Sequence, residues 1–136
     1  MIRDLVRAAY AKWVSVIGRE PRPMSADYAQ AVANHQIELL HRGATLLGLI
    51  EMMPRDDHLW IENIAVRPES QGQGLGRLLL AQAERLAAEL GQAELRLLTN
   101  ADFAANVVLY ERNGYRVTRR EAFMGGTTLY MSKNLI

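Results

Sequence analysis

The chain contains no cysteine. That absence removes disulfides, thiolate zinc sites and a cysteine nucleophile together. It is compatible with a reducing compartment, and a cytoplasmic location is expected. An excess of charge is also missing: 16 basic residues face 15 acidic ones, for a net charge of +1. Such a balance makes no electrostatic case for nucleic acid or an anionic membrane as a partner. No apolar run approaches the roughly 20 residues of a membrane span. The first stretch, "MIRDLVRAAYAKWV", has charges scattered through it and does not resemble a secretory signal. His35, His41 and His58 lack helical metal-ligand spacing, so no metal is expected. Repeats, low-complexity tracts and interdomain linkers are absent. What remains is 136 residues, 49% hydrophobic and 23% charged. These values suit one globular domain over residues 1–136 with a sizeable core.

Ile2, Leu5, Val6, Ala9, Trp13, Val16 and Ile17 recur at helical spacing and predict a first helix ending near Gly18. A proline-containing loop follows (Gly18–Ser25). Ser25 can cap a second helix carrying Tyr28, Ala29 and Val32. "IELLHRGATLLGLIEMM" predicts two strands about Arg42-Gly43, and Pro54–Asp57 a second turn. "HLWIENIAV" (His58–Val66) is apolar on both faces, as a central strand would be. The three strands are expected to form an antiparallel meander. A helix from about Gly76 to Leu90 comes next, with Leu79, Ala83, Leu86 and Leu90 as its buried stripe and Gly91 ending it. Ala93–Asn100 is then a strand, returning parallel to the third. Asp102–Tyr115 is another helix, with Asp102 as a cap and Asn113-Gly114 at its C-terminus. Two closing strands surround Gly125-Gly126. The expected class is α/β, with a mixed, mostly antiparallel central sheet flanked by helices.

One stretch, "RPESQGQGLGRLLL" (Arg67–Leu80), demands an explanation. Gly72, Gly74 and Gly76 fall on alternate residues directly before a helix. Glycine loses the most backbone entropy on folding, so three in five positions oppose order unless the backbone needs them. A loop of bare amides at a helix N-terminus can hold an anion; a plain strand-to-helix turn is the simpler alternative. A P-loop needs Lys and then Ser or Thr after its last glycine, whereas Gly76 precedes Arg77 and Leu78. A dinucleotide fingerprint needs GxGxxG. Here the spelling is GxGxG, and a meander precedes it, although Glu94 stands twenty residues past Gly74.

Gln71-Gly72-Gln73-Gly74-Leu75-Gly76 resembles the Q/R-x-x-G-x-G/A loop of GNAT-type N-acetyltransferases. "NVVLYERNGY" resembles that family's later helix, often spelled LYxxxGF or LYxxxGY. The resemblance covers most of Asp27–Lys133, with both motifs in the family's order and spacing. It implies the GNAT acyl-coenzyme A fold, with acetyl-coenzyme A as cosubstrate and an amine as acceptor. The amides from Gln71 to Gly76, with Arg77 next in the helix, would cradle the coenzyme pyrophosphate. Gly74 and Gly76 would be small so that phosphate oxygens can approach. The backbone of Ile64, Ala65 and Val66 would pair with the pantetheine arm, and an amide near Ile64 would polarise the thioester. Tyr110 would protonate the leaving thiolate; a packed aromatic is the plain alternative. Asn106, one helical turn earlier, and Asn100 are amide candidates for the same arm. For Asn100 a helix cap is the plain reading.

Glu62 lies two residues before Ile64 and is expected on the same face. A carboxylate in so apolar a strand is costly without a partner. A substrate amine, with a pKa of about 10, must lose a proton before attack. Glu62 is therefore the base candidate. It resembles the glutamate of glucosamine-phosphate acetyltransferases, which also read "IE" before the glycine loop. A structural acid paired with Arg is the alternative. Glu51 is the second choice, and His58 is a turn residue. Arg19, Arg22 and Arg55 border the acceptor site in relatives and could read an acidic group.

One feature departs from the family. Members begin with a strand before the first helix, and here Met1 is almost on that helix. The first strand is expected to be missing, by truncation or by design. His35–Arg42 would then be an open edge, which together with the family's use of its last strands leads to an expected homodimer. A non-catalytic acyl-coenzyme A sensor and a nucleotide-binding module are the alternative functions.

Overall fold

The computed structural model describes residues 2–17, 23 and 36–135. Helix α1 (Ile2–Ile17) precedes three strands, β1 (Gln36–Arg42), β2 (Thr45–Pro54) and β3 (Leu59–Val66). A 3-10 turn (Pro68–Ser70) leads to α2 (Leu75–Glu89), β4 (Glu94–Asn100) and α3 (Ala104–Arg112). Strands β5 (Arg116–Phe123) and β6 (Gly126–Asn134) close the chain. The six strands form one sheet in the order β1-β2-β3-β4-β6-β5. Only β3 and β4 run parallel; the other pairs are antiparallel. The mixed sheet flanked by helices, and the meander, are as the sequence patterns predict. Residues 18–22 and 24–35, with Arg19, Arg22, Ser25 and the expected second helix, lie outside the described residues.

Each face of the sheet has its own core. On one side α1 buries Leu5, Val6, Ala9 and Tyr10 against Leu46, Leu49 and Ala65, with Phe103 joining from beyond β4. On the other, α2 buries Leu79, Leu80, Ala83 and Ala87 over β2, β3, β4 and β6. Full burial of each such leucine contributes about 1.5–3 kcal/mol. The stripe on α2 differs from expectation at its end. Leu90 is 49% exposed, and Leu80 and Ala87 are buried instead. The helix stops at Glu89, so Leu90 is carried past the sheet it was expected to cover.

Two local features shape the site. The β2–β3 register runs Glu51↔Asn63 and then Met52↔Ile61, so Glu62 is an extra residue on β3. This β-bulge resets the alternation. Ile64 shares its core with Ile61, three residues earlier. The expectation that Glu62 and Ile64 share a face is therefore overturned. The second feature is the length of the parallel pairing. Strand β3 pairs with β4 only at Leu59–Ile61. Beyond that, β3 stays with β2 and β4 stays with β6, so the two strands part.

The turns follow their residue chemistry. The β5–β6 hairpin turns on Met124 and Gly125, at φ 49° and 80°. Two successive positive φ values are the signature of a hairpin turn of the I′ kind. Asn113 caps α3, and Gly114 follows it at φ 92°. At the start of α3, however, Asp102 is not the cap. Phe103 holds that position without a side-chain bond, while the Asp102 amide donates to Asn100 Oδ1 at 2.8 Å.

Candidate active site

The parting of β3 and β4 opens two cavities that meet at Ile64. The outer one, a cleft of about 470 Å³, lies between the glycine loop, the end of β3, α1 and α3. Gly72 and Gly74 stand at φ 81° and 80°, a conformation that strains any side chain. Gly74 is the N-cap of α2, and no side chain caps the helix there. The first amides of a helix have no intrahelical acceptor. Here they stand beside the cleft, at the positive end of the helix dipole. Gln71 ties the loop down: its Nε2 donates to the Val66 carbonyl at 3.0 Å, and its Oε1 accepts from Lys12 Nζ at 2.7 Å.

The three glycines serve different ends. A Cβ on Gly72 or Gly74 would meet nothing within 4 Å, so their backbone angles are what exclude side chains. A Cβ on Gly76 would lie 2.9 Å from Leu109 Cδ2 of α3. Gly76 is thus small for the sake of helix packing. It also lines the cleft on which the phosphate oxygens are expected to rest. Of the predicted coenzyme residues, Ile64, Ala65, Val66, Gln71, Gly72, Gly74, Leu75, Gly76, Arg77 and Asn106 all line this cleft. Gln73 is exposed on the loop and is not part of that lining.

The inner cavity, about 280 Å³, fills the gap between the parted strands. Tyr110 lines it and is only 5% exposed. Burial pushes its phenol well above the ordinary tyrosine value, so it carries its proton throughout the neutral range. Asn100 lines this cavity and not the cleft, alongside Ile64 and Asn106 of the predicted pantetheine residues. Tyr10, Ile64 and Asn106 line both spaces and mark the junction.

Glu62 also lines the inner cavity, but it is exposed and accepts from Trp60 Nε1 at 3.1 Å. The desolvation cost expected for it does not arise, because the bulge carries it to the surface. Glu51 is the buried acid, paired in register with Asn63, and it lines neither cavity. His58 lies 2.7 Å from Asp57 in the β2–β3 turn. Arg55 sits in the same turn, away from both cavities; its carbonyl accepts from Gln92 Nε2 at 2.6 Å.

Two residues at the junction escaped the sequence reading. The Tyr10 hydroxyl lies 2.8 Å from Asn63 Oδ1 and 3.2 Å from the Ile64 carbonyl. It holds the bulged part of β3 against α1. Tyr10 sat beside the apolar stripe of α1 without a motif to mark it. Asn63 carried a weak signal, as an amide inside "WIENIAV". Among the described residues no helix is long and apolar enough to cross a membrane.

Among curated proteins, none matches the chain. Solved structures do. Nourseothricin acetyltransferase is 26% identical with a TM-score of 0.70, over 76% of this chain and 66% of that one. The ribosomal-protein-S18-alanine N-acetyltransferase of Escherichia coli is 22% identical with a TM-score of 0.78, over 98% and 84%. A GNAT family acetyltransferase from Elizabethkingia anophelis, solved with acetyl-CoA bound, is 20% identical with a TM-score of 0.73, over 97% and 89%. The family model described as an acetyltransferase (GNAT) domain matches residues 31–117. That span holds the meander, the glycine loop, the β3–β4 opening and α3, well over half of the chain, and so the chain belongs to the GNAT family of acetyltransferases.

Proposed function

We infer that the protein moves an acetyl group from acetyl-coenzyme A onto a primary amine by direct attack. The observation that carries this reading is the junction at Ile64. There the anion-suited cleft meets a cavity lined by a buried, protonated tyrosine. Acetyl-coenzyme A, which the Elizabethkingia relative contains, fits this division. Its pyrophosphate would rest on the amides of Gln71–Gly76, with Lys12, Arg77 and Arg112 around it. Its pantetheine would run along Ile64–Val66, whose side of β3 has no strand partner there. Asn106 is the side chain placed to bond that arm. Asn100, lying on the inner cavity, faces the acceptor instead.

The chemistry then needs three proton movements. Glu62, through water, takes a proton from the ammonium of the acceptor. The free amine attacks the thioester carbon, and the amide near Ile64 stabilises the developing oxyanion. As the carbon–sulfur bond breaks, the Tyr110 phenol gives its proton to the sulfur, and the second proton of the attacking nitrogen restores the phenol. No covalent enzyme intermediate forms. A cytoplasmic location and a homodimer belong to the same reading. Strand β1 stands at one end of the sheet and offers an edge for pairing. Sedimentation across a wide concentration range tests the dimer, and a monomer throughout would remove it. The function itself is tested by thiol release from acetyl-coenzyme A over a panel of amines. Coenzyme binding without release for any amine would favour a sensor.

A further inference from the structure

The two cavities carry opposite charge. The charged side chains lining the cleft are Lys12, Arg77 and Arg112, all basic. Those of the described residues lining the inner cavity are Glu62 and Glu121, both acidic. The hydrogen-bond partner of Glu62 is the neutral Trp60 indole, so its charge is not offset by that contact. Glu121 is paired with Arg119 at 2.9 Å, but both side chains are more than half exposed. Such a surface pair contributes little and exchanges readily with other cations. The Arg119 guanidinium also lies 4.1 Å above the Tyr130 ring. Tyr130 and Phe123 line the cavity at this end, so an aromatic face there already holds a cation.

The register sets the scale. Glu121 pairs with Thr128, and Thr128 pairs with Asn100 at the opening. Two strand spacings put Glu121 about 10 Å from Asn100. We propose that the acceptor is a small aliphatic amine carrying a second positive charge. The reacting nitrogen lies at Tyr110 and Glu62, and the distal cation lies at Glu121 and the Tyr130 ring. This rests on the acetyl-transfer reading above. Of the arginines expected to read an acidic group, Arg55 lies away from both cavities, and Arg19 and Arg22 lie outside the described residues. An acceptor with a distal carboxylate would meet two like charges and a hydrophobic wall.

Three amines of one chain length test this: hexylamine, hexamethylenediamine and aminohexanoate. Each is titrated calorimetrically into the coenzyme A-loaded protein and assayed for thiol release with acetyl-coenzyme A. The diamine should bind up to about fivefold tighter than hexylamine, the upper range of one exposed ion pair. Aminohexanoate should bind weakest. Glu121→Gln, an exposed change that leaves both cores intact, should cut the diamine-to-monoamine preference about fivefold. Diamine binding no tighter than that of hexylamine would overturn the proposal. So would a preference unchanged by Glu121→Gln. The expected binding order without thiol release from any amine would keep the dication-binding site but overturn its role as an acceptor site, together with the transfer reading.

Discussion

The outer cleft and the inner cavity are two mouths of one opening, yet they are built by different means. The cleft draws on main chain: a six-residue loop, two positive φ angles and a helix start without a side-chain cap. The inner cavity draws on side chains from β3, β4, α3, β5 and β6, brought together across the sheet. Among the described residues, the charged side chains lining one mouth are basic and those lining the other are acidic. The contrast teaches that a backbone site can be written in a short segment, because neighbouring amides are positioned by their own dihedrals. A side-chain site needs the whole fold before it exists.

The largest expected effect lies on the inner side. Tyr110→Phe keeps the ring and its packing but removes the proton given to sulfur. Turnover should fall by about 10²–10⁴-fold, the range of a positioned general acid. Coenzyme affinity should hardly change, since Tyr110 is not part of the cleft lining. Near-normal turnover, with chemistry rate-limiting, would show that the aromatic is only packing.

Gly74→Val probes the outer side. A β-branched residue at φ 80° costs about 1–2 kcal/mol and moves the helix start. Calorimetry should show coenzyme A binding at least roughly tenfold weaker, or about 1.4 kcal/mol. Unchanged affinity in the folded variant would place the pyrophosphate elsewhere.

Gly76 sharpens the comparison, because it belongs to the loop motif but answers to α3. In the native background Gly76→Ala must push Leu109 aside, which offsets the helix propensity gained. With Leu109→Ala already present, the same change should become stabilising by about 0.5–1 kcal/mol. Additive denaturation free energies would break the assigned link between Gly76 and Leu109.

The smallest effect concerns alkaline pH. Burial raises the phenols of both Tyr110 and Tyr115 above the ordinary value of 10.0. A raised acid of this kind contributes stability that is full below its unfolded value. That stability is lost as pH rises from there toward the folded value. Thermal stability should therefore decline above about pH 10, and Tyr115→Phe should shallow the decline. A decline of equal slope in the variant would assign it to other groups.

Several features were legible without coordinates. The order of the elements, the central place of β3 and the parallel return of β4 followed from hydrophobic period and turn residues. The glycine loop was visible because its need for unusual dihedrals is local. The absence of cysteine excluded whole classes of chemistry before any folding was considered. Other features were decided only in three dimensions. The bulge that moves Glu62 to the surface depends on how β3 registers against β2. Tyr10 reaches Asn63 across 53 residues of sequence, and Gly76 is held small by a leucine 33 positions later. Acidic Glu121 stands in an unremarkable strand until β6 and β4 place it at the mouth of the cavity. Periodicity reports which way a side chain points within its own element. It carries nothing about which distant element arrives to meet it, because that depends on the summed packing of the whole sheet.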